Sequence, residues 1–387
     1  MSPAPPPFAR RAWVEIDLSA LERNLGKIKA HIPPRIHYIA IVKADAYGHG
    51  LAPIVTRLLQ CGVENFAVAN VREGADVREI GPGANILVLG PILPEEIPRL
   101  ADYQLTATLS TPEEARALAT HAAARRHRQP VHIKIDTGMG RMGAWHTTAP
   151  QLIRDIHQQH AGTLDIRGIC THFPSADTDP RQTTRQRHLF QQVLDTLPRE
   201  LNADARLLIH ADNSAGLDTL PPNGPFNAIR IGLLQYGLTP NPGSPLAHIN
   251  PEPVLSFHSR VGLIKTLPPG ATLSYNRTHT LAHTTRIAII TAGYGDGIPL
   301  SASNRAQVLI HGQRCRILGR VTMDQTLVDI TANPDATAGD TATLIGTQPG
   351  GEITLREFCS WTDTIPWEVF CSITKRVERA PRGLRIQ

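Results

Sequence analysis

His37-Tyr-Ile-Ala-Ile-Val-Lys43-Ala-Asp-Ala-Tyr-Gly-His-Gly50 runs on into a helical pattern that ends near Cys61. An apolar, β-branched run followed by glycines reads as a buried strand, and the following 3.6-residue periodicity reads as a helix. The same unit recurs along the first 240 residues. Strands are expected at His37–Val42, Phe66–Ala69, Ile86–Leu89, Gln104–Leu109, Val131–Ile135, Ile166–Thr171, Arg206–His210 and Asn227–Ile231. Helices are expected between them, as at Gly50–Cys61, Pro112–Arg126, Pro150–His160 and Arg181–Leu197. Thr111 can cap the second of these and Pro112 fits its first turn. Eight strand–helix units joined by short loops predict an α/β fold, a (β/α)8 TIM barrel, with a doubly wound sheet as the competing arrangement.

The pattern changes after Thr239-Pro-Asn-Pro-Gly-Ser-Pro-Leu246. Beyond it lie strand-like pieces at Val254–Leu267, Ala282–Thr291, Ala306–Ile310, Gln313–Arg320, Thr326–Ile330, Asp340–Ile345 and Trp367–Ile373, separated by Gly, Pro and Asn turns. A short helix is expected from Thr354, with Leu355 and Phe358 facing inward. The expected domains are therefore a barrel over 12–245 and a mainly β domain over 246–387. The proline-rich residues 1–11 read as a flexible tail.

Composition narrows the function classes. A formal charge of +5 on 387 residues, with no dense Lys/Arg block, gives no support to nucleic-acid binding. The five cysteines form no CxxC pair and are odd in number, which fits a reducing compartment. Prolines occupy the place of a signal peptide's apolar helix, and no run approaches a membrane span. A cytoplasmic protein is expected, with no membrane partner. His172, Asp177 and Asp179 lack the spacing of known zinc motifs, so no metal is expected. No GxGxxG follows a strand and no P-loop occurs. Asp136-Thr-Gly-Met-Gly-Arg141 resembles a glycine-rich anion loop but lacks the Lys-Ser/Thr that would follow.

Barrel chemistry sits at the carboxyl ends of the strands, with a phosphate site often formed after the seventh and eighth. Lys43 ends the first strand, His172 follows the sixth, and His210 ends the seventh. Asn213, Ser214 and Gly216 come next at a helix start, and Arg230 and Gly232 close the eighth strand. Alone, Ser214 reads as a helix cap and Lys43 as a solvated strand end. Their coincidence on one rim favours a ligand site: an amine at an apolar strand edge can lose its charge and become nucleophilic, and Ser214 with backbone N–H groups suits a phosphate.

Ala40-Ile-Val-Lys-Ala-Asp-Ala-Tyr-Gly-His-Gly50 and His132-Ile-Lys-Ile-Asp-Thr-Gly-Met-Gly-Arg-Met-Gly143 resemble motifs of the alanine racemases. So do Thr171-His-Phe173, His210-Ala-Asp-Asn-Ser214, Arg230-Ile-Gly232, Ser274-Tyr275, Gly293-Tyr-Gly-Asp-Gly297 and Met323-Asp-Gln325, and the likeness spans nearly the whole chain. That family has a barrel followed by a β domain and uses pyridoxal 5'-phosphate. The resemblance implies a homodimer with shared active sites, acting on a small amino acid and supplying D-alanine for peptidoglycan. Lys43 would form the Schiff base with the cofactor and act as the base for D-alanine. Tyr275 of the partner would be the base for L-alanine, oriented by His210. Arg230 would face the pyridine nitrogen, with His172 hydrogen-bonded behind it. Tyr47, Asn213, Ser214, Gly232 and Leu233 would hold the cofactor, most of them at its phosphate. Arg141 would reach the cofactor and the substrate carboxylate, held by a carbamylated Lys134. Tyr294 and Met323 of the partner would line the substrate entrance. At Trp367 the family usually has a tyrosine that contacts the phosphate; an indole N–H could donate there instead.

Racemisation needs proton removal from one face and delivery to the other, which a lysine and a tyrosine on opposite sides can perform. The alternatives are a serine or broad-specificity racemase, a pyridoxal-phosphate decarboxylase on the same plan, and a cofactor-binding barrel without turnover. Arg230 argues against the decarboxylase, which would present an acidic group to the pyridine nitrogen. The C-terminal domain carrying Tyr275 argues against the lone barrel.

Overall fold

In the computed structural model, residues 9–219, 224–240 and 243–383 are described. Most of the expected tail (1–8) and part of the expected domain boundary (241–242) lie outside them. The chain forms two compact units.

The first unit, residues 20–46 and 50–252, is a nearly closed barrel of eight parallel strands. They are His37–Ile41, Asn65–Val68, Asn85–Val88, Thr106–Leu109, Gln129–Asp136, Leu164–Cys170, Leu208–His210 and Ala228–Ile231. The first seven pair in chain order and the eighth pairs with the first, Ala228 beside His37 and Ile231 beside Ala40, which leaves a seam between the seventh and the eighth. Every expected barrel strand is present, with ends shifted by one or two residues in most cases. The capping residues behave as their chemistry demands: Thr111 Oγ1 accepts from Glu114 N while the Glu114 carboxylate accepts from Thr111 N.

The seam between the seventh and eighth strands is closed largely by one residue. Asn227 N donates to Ile209 O at 3.0 Å, its Oδ1 accepts from Ile209 N at 2.7 Å, and its Nδ2 donates to Leu207 O at 2.8 Å. An amide carries a donor and an acceptor on one planar group, so it stands in for a missing stretch of ladder.

Of the described residues, the second unit comprises 9–19, 47–49 and 253–383. Its backbone is the long strand Leu255–Leu267, which pairs with Ala12–Asp17 and Thr341–Gln348 in its first half. It then shifts register near Gly262 and pairs with Thr285–Ile290. Two features depart from expectation. Residues 12–17, expected to open the barrel domain, form a strand between Leu255–Leu267 and Glu378–Arg382 of this sheet. Trp367–Ile373, expected as strand-like, lies largely in an α-helix spanning Pro366–Ser372. Pro366 takes the first helical position, where its missing N–H costs nothing. Val369, Phe370 and Ile373 bury one helical stripe. The helix expected from Thr354 runs Leu355–Thr362, with Thr354 Oγ1 accepting from Glu357 N.

Asn227→Ala removes both side-chain bonds across the seam and leaves the Ile209 N–H without its acceptor. The expected loss is about 1–3 kcal/mol in urea unfolding at fixed protein concentration. An unchanged midpoint would show that the seam does not depend on this amide.

Candidate active site

Lys43 follows the first strand and opens an unusual turn. Ala44, Asp45, Ala46 and Tyr47 all have left-handed backbone, with φ of 52°, 55°, 53° and 54°. For residues with a Cβ this costs roughly 1–2 kcal/mol each, so the turn must be held from outside. Glu73 supplies much of the hold: its carboxylate accepts from Ala44 N at 2.9 Å and from Ala69 N at 2.8 Å. Ala46 N reaches Val42 O, and the Asp45 carboxylate accepts from Leu51 N at 2.7 Å. Gly48 continues at φ +73°, and a Cβ there would lie 2.2 Å from Phe370 O, so no other residue fits. Tyr47 is buried, and burial pushes its phenol far above the ordinary range.

Arg230, on the eighth strand, is buried at the centre of the rim. Its two terminal nitrogens donate to the backbone oxygens of Thr171, Ala211 and His210, at 2.8, 2.8 and 3.1 Å. They also reach the Nδ1 atoms of His210 and His172, the latter at 3.2 Å. The Nε–H has no partner among the described residues. A guanidinium only donates, so both Nδ1 atoms must present lone pairs. His210 Nε2 therefore carries the hydrogen and donates to His132 Nδ1 at 2.9 Å. Both ring nitrogens of His210 are thus engaged, one with Arg230 and one with His132. His172 retains an open Nε2. Burial, with Arg230 adding like charge, drives all three imidazoles neutral: His132 falls to about 3, His172 to about 2, and His210 well below its usual value.

Lys134 is buried on the fifth strand and makes no hydrogen bond among the described residues. Burial, with Arg230 and Arg141 adding like charge, pulls its amine downward. Arg141 is exposed on the loop after this strand. That loop cannot cradle a phosphate, because its N–H groups are already used: Gly138, Met139 and Gly140 all donate to the Asp136 carboxylate. Its role is to fix the base of the Arg141 loop.

After the seventh strand, Asn213 Oδ1 accepts from Ala215 N and Gly216 N, and its Nδ2 donates to Phe173 O. Asn213 thereby braces the loop that carries Ser214. Ser214 Oγ accepts from Gly232 N at 3.1 Å and Leu234 N at 3.5 Å, while the Leu233 N–H has no described partner. Behind this loop Asp212 is fully buried against Arg187, itself stacked on the Phe173 ring at 5.2 Å. Burial raises the Asp212 carboxyl to about 6.

In the β unit, Tyr275, Tyr294 and Met323 are 69 %, 44 % and 52 % exposed. Tyr275 follows Ser274, whose φ of 60° and ψ of −173° is a glycine-like conformation, held by Ser274 Oγ donating to Arg320 O at 2.5 Å. The Tyr294 and Met323 loops are joined by Tyr294 N to Thr322 O and Gly295 N to Met323 O, both 2.9 Å. Trp367 is partly exposed at its helix start, and its indole N–H has no partner among the described residues.

His132, Glu73 and Asp136 had no assigned role in the sequence reading. The alternation His132-x-Lys134-x-Asp136 in one strand was the available signal, since a period of two puts all three on one face.

The rim of the parallel barrel thus carries a lysine after its first strand, a buried arginine on its eighth and a serine bonded to backbone N–H groups after its seventh. The family described as alanine racemase, N-terminal domain, matches residues 16–240, and alanine racemase, C-terminal domain, matches 254–381. An alanine racemase of Halothermothrix orenii is 38 % identical over 373 residues, covering 96 % of this chain and 97 % of that protein. The solved alanine racemase of Clostridium difficile 630 superposes with a TM-score of 0.90 at 30 % identity, covering 98 % of each chain. That of Bartonella henselae, solved with covalently bound pyridoxal phosphate, gives 0.85 at 26 % identity, covering 96 % of this chain and 100 % of that one. The chain belongs to the alanine racemase family, and its reaction is the interconversion of L- and D-alanine.

The buried histidines make stability depend on pH with a definite sign. On unfolding, His132, His172 and His210 return to about 6.5 and take up protons, so stability falls as pH drops below that value. Asp212 acts oppositely: its folded pKa lies above the unfolded one, so its contribution is present below about 4 and lost as pH rises through about 6. Near pH 5 these four groups take up about two protons net on unfolding. His132→Asn should reduce the slope of unfolding free energy against pH by about one proton. An unchanged slope would mean that His132 is already protonated in the folded chain.

Proposed function

We propose that the barrel rim binds pyridoxal 5'-phosphate covalently through Lys43, and that a homodimer completes each site with Tyr275, Tyr294 and Met323 of a second copy. One observation carries this reading: Arg230 has both terminal nitrogens committed to protein acceptors and its Nε–H left over for a ring nitrogen. The donor set fits the group. The Leu233 N–H and the Ser214 hydroxyl, itself held by the Gly232 N–H, suit a phosphate. Tyr47 and the unpartnered indole of Trp367 are further donors to it, and a strand-end amine suits an aldehyde. The exposure of Tyr275, Tyr294 and Met323 supports their use by a second copy.

Bound, the cofactor supplies an electron sink for the charge left when the substrate α-proton departs. The residues decide the outcome. Lys43 Nζ takes or returns that proton on one face, and Tyr275 Oη of a second copy does so on the other. His172, through its open Nε2, orients that phenol. Arg230 cannot surrender a proton to the ring nitrogen, which keeps the sink shallow and favours return of a proton to the α-carbon. Arg141 binds the substrate carboxylate. Lys134, whose amine burial pulls below its ordinary range, attacks carbon dioxide in its unprotonated form, making an N–C bond and releasing a proton. The resulting carbamate turns two neighbouring cations into a charge-assisted pair that steadies Arg141. The product role is supply of D-alanine for peptidoglycan from the cytoplasm.

Lys43→Ala and Tyr275→Phe should each be inactive alone, yet regain activity when mixed and allowed to exchange subunits. A heterodimer pairs one intact Lys43 with one intact Tyr275. Verified exchange without recovery would contradict the shared site. Separately, protein equilibrated with 13C-bicarbonate should show one carbamate carbon resonance that Lys134→Ala abolishes; its survival in that variant would rule out Lys134 as the modified residue.

A further inference from the structure

We propose that His132 is a positioning residue for Arg230, acting through the proton arrangement of His210. The proposal rests on Arg230 facing the cofactor ring nitrogen, as argued above.

His132 and His210 sit on the fifth and seventh strands, with the sixth between them. Alternate strands in a sheet are about 9–10 Å apart, so two such rings ordinarily do not touch. Two local features bring them together. The pairing of the fifth and sixth strands shifts register immediately before His132: Val131 faces Ile166, but His132 faces Gly168. Gly168 then leaves the intervening position empty. A Cβ there would lie 2.5 Å from both Cε1 and Nδ1 of the imidazole. The His132 ring occupies the space of the missing side chain and meets His210 with centroids 5.1 Å apart. A bulge beside an active site commonly serves to re-aim a side chain in this way.

The contact has one permitted polarity. Arg230 can only donate, so His210 must accept at Nδ1 and carry its hydrogen on Nε2. That hydrogen is fully buried, and His132 Nδ1 is its acceptor. Without the acceptor, the Nε2–H form of His210 leaves a buried donor unpaired. The alternative tautomer turns an N–H toward the guanidinium. His132 thus selects the form of His210 that Arg230 requires, and with it the orientation of the free Nε–H.

His132→Leu and His132→Asn are nearly the same shape, but Asn Oδ1 can accept where Nδ1 did. In the Leu holoenzyme, kcat should fall about tenfold with KM for alanine little changed. The visible absorbance band of the cofactor should move. The nitrogen-15 ring signals of His210 should leave the pattern of the Nε2–H form. Asn should restore most of all three. Wild-type values for Leu, or equal impairment of Leu and Asn with unchanged His210 signals, would overturn the proposal and leave His132 as packing. Should the Leu chain not fold, Gly168→Ala displaces the ring while keeping it, and an unchanged His210 pattern there is equally fatal. Arg230→Lys separates the two levels. An unaltered absorbance band in that variant sinks the reading of Arg230 itself, whereas an altered band with an inert His132→Leu sinks only the relay.

Discussion

A guanidinium buried in a barrel, with no carboxylate hydrogen-bonded to it among the described residues, is the constraint around which the site is arranged. Removing such a charge from water costs several kcal/mol unless its donors are satisfied. Here the compensation comes from carbonyl oxygens at the ends of the sixth and seventh strands, Thr171, His210 and Ala211, and from two imidazole nitrogens. Those acceptors converge only if the eighth strand closes against the seventh. The Asn227 seam and the Arg230 N to Asp212 O bond, at 3.0 Å, therefore belong to the same device as the catalytic rim. The imidazoles must be neutral to accept, and burial beside a fixed positive charge ensures that they are.

The lysine end of the site follows a different logic. Four consecutive left-handed residues after Lys43 store strain that the surrounding bonds of Glu73 and Asp45 contain. A comparable economy appears in the β unit, where Ser274 adopts a glycine-like conformation directly before Tyr275. Both proposed bases thus sit beside strained backbone that fixes where they emerge, and each strained turn is tied down by side-chain bonds to residues distant in the chain, Glu73 for one and Arg320 for the other.

Much of this was legible in the sequence. Eight apolar runs with helical spacers specify the barrel, and glycine, serine, lysine and arginine at strand ends mark its working rim. What was hidden depends on pairing across the chain. Residues 12–17 fall with the barrel on chain order alone, because a strand's partner is not written in its own residues, and theirs lie near residues 255 and 378. Trp367–Ile373 looked strand-like by its apolar content, although the proline before it and the buried stripe Val369, Phe370, Ile373 carry helical spacing. The bonds of both His210 nitrogens are hidden in the same way, since they join residues twenty and seventy-eight positions away. The role of Gly168 is equally invisible without the ring that fills its place.

The central claim is that a permanently charged arginine faces the cofactor's ring nitrogen and leaves it unprotonated. Nitrogen-15 magnetic resonance of the holoenzyme, reconstituted with ring-labelled pyridoxal 5'-phosphate, reads that state directly. The account predicts a shift in the range of a neutral, hydrogen-bonded pyridine, displaced in Arg230→Lys. A pyridinium shift in the wild-type enzyme at neutral pH would contradict it.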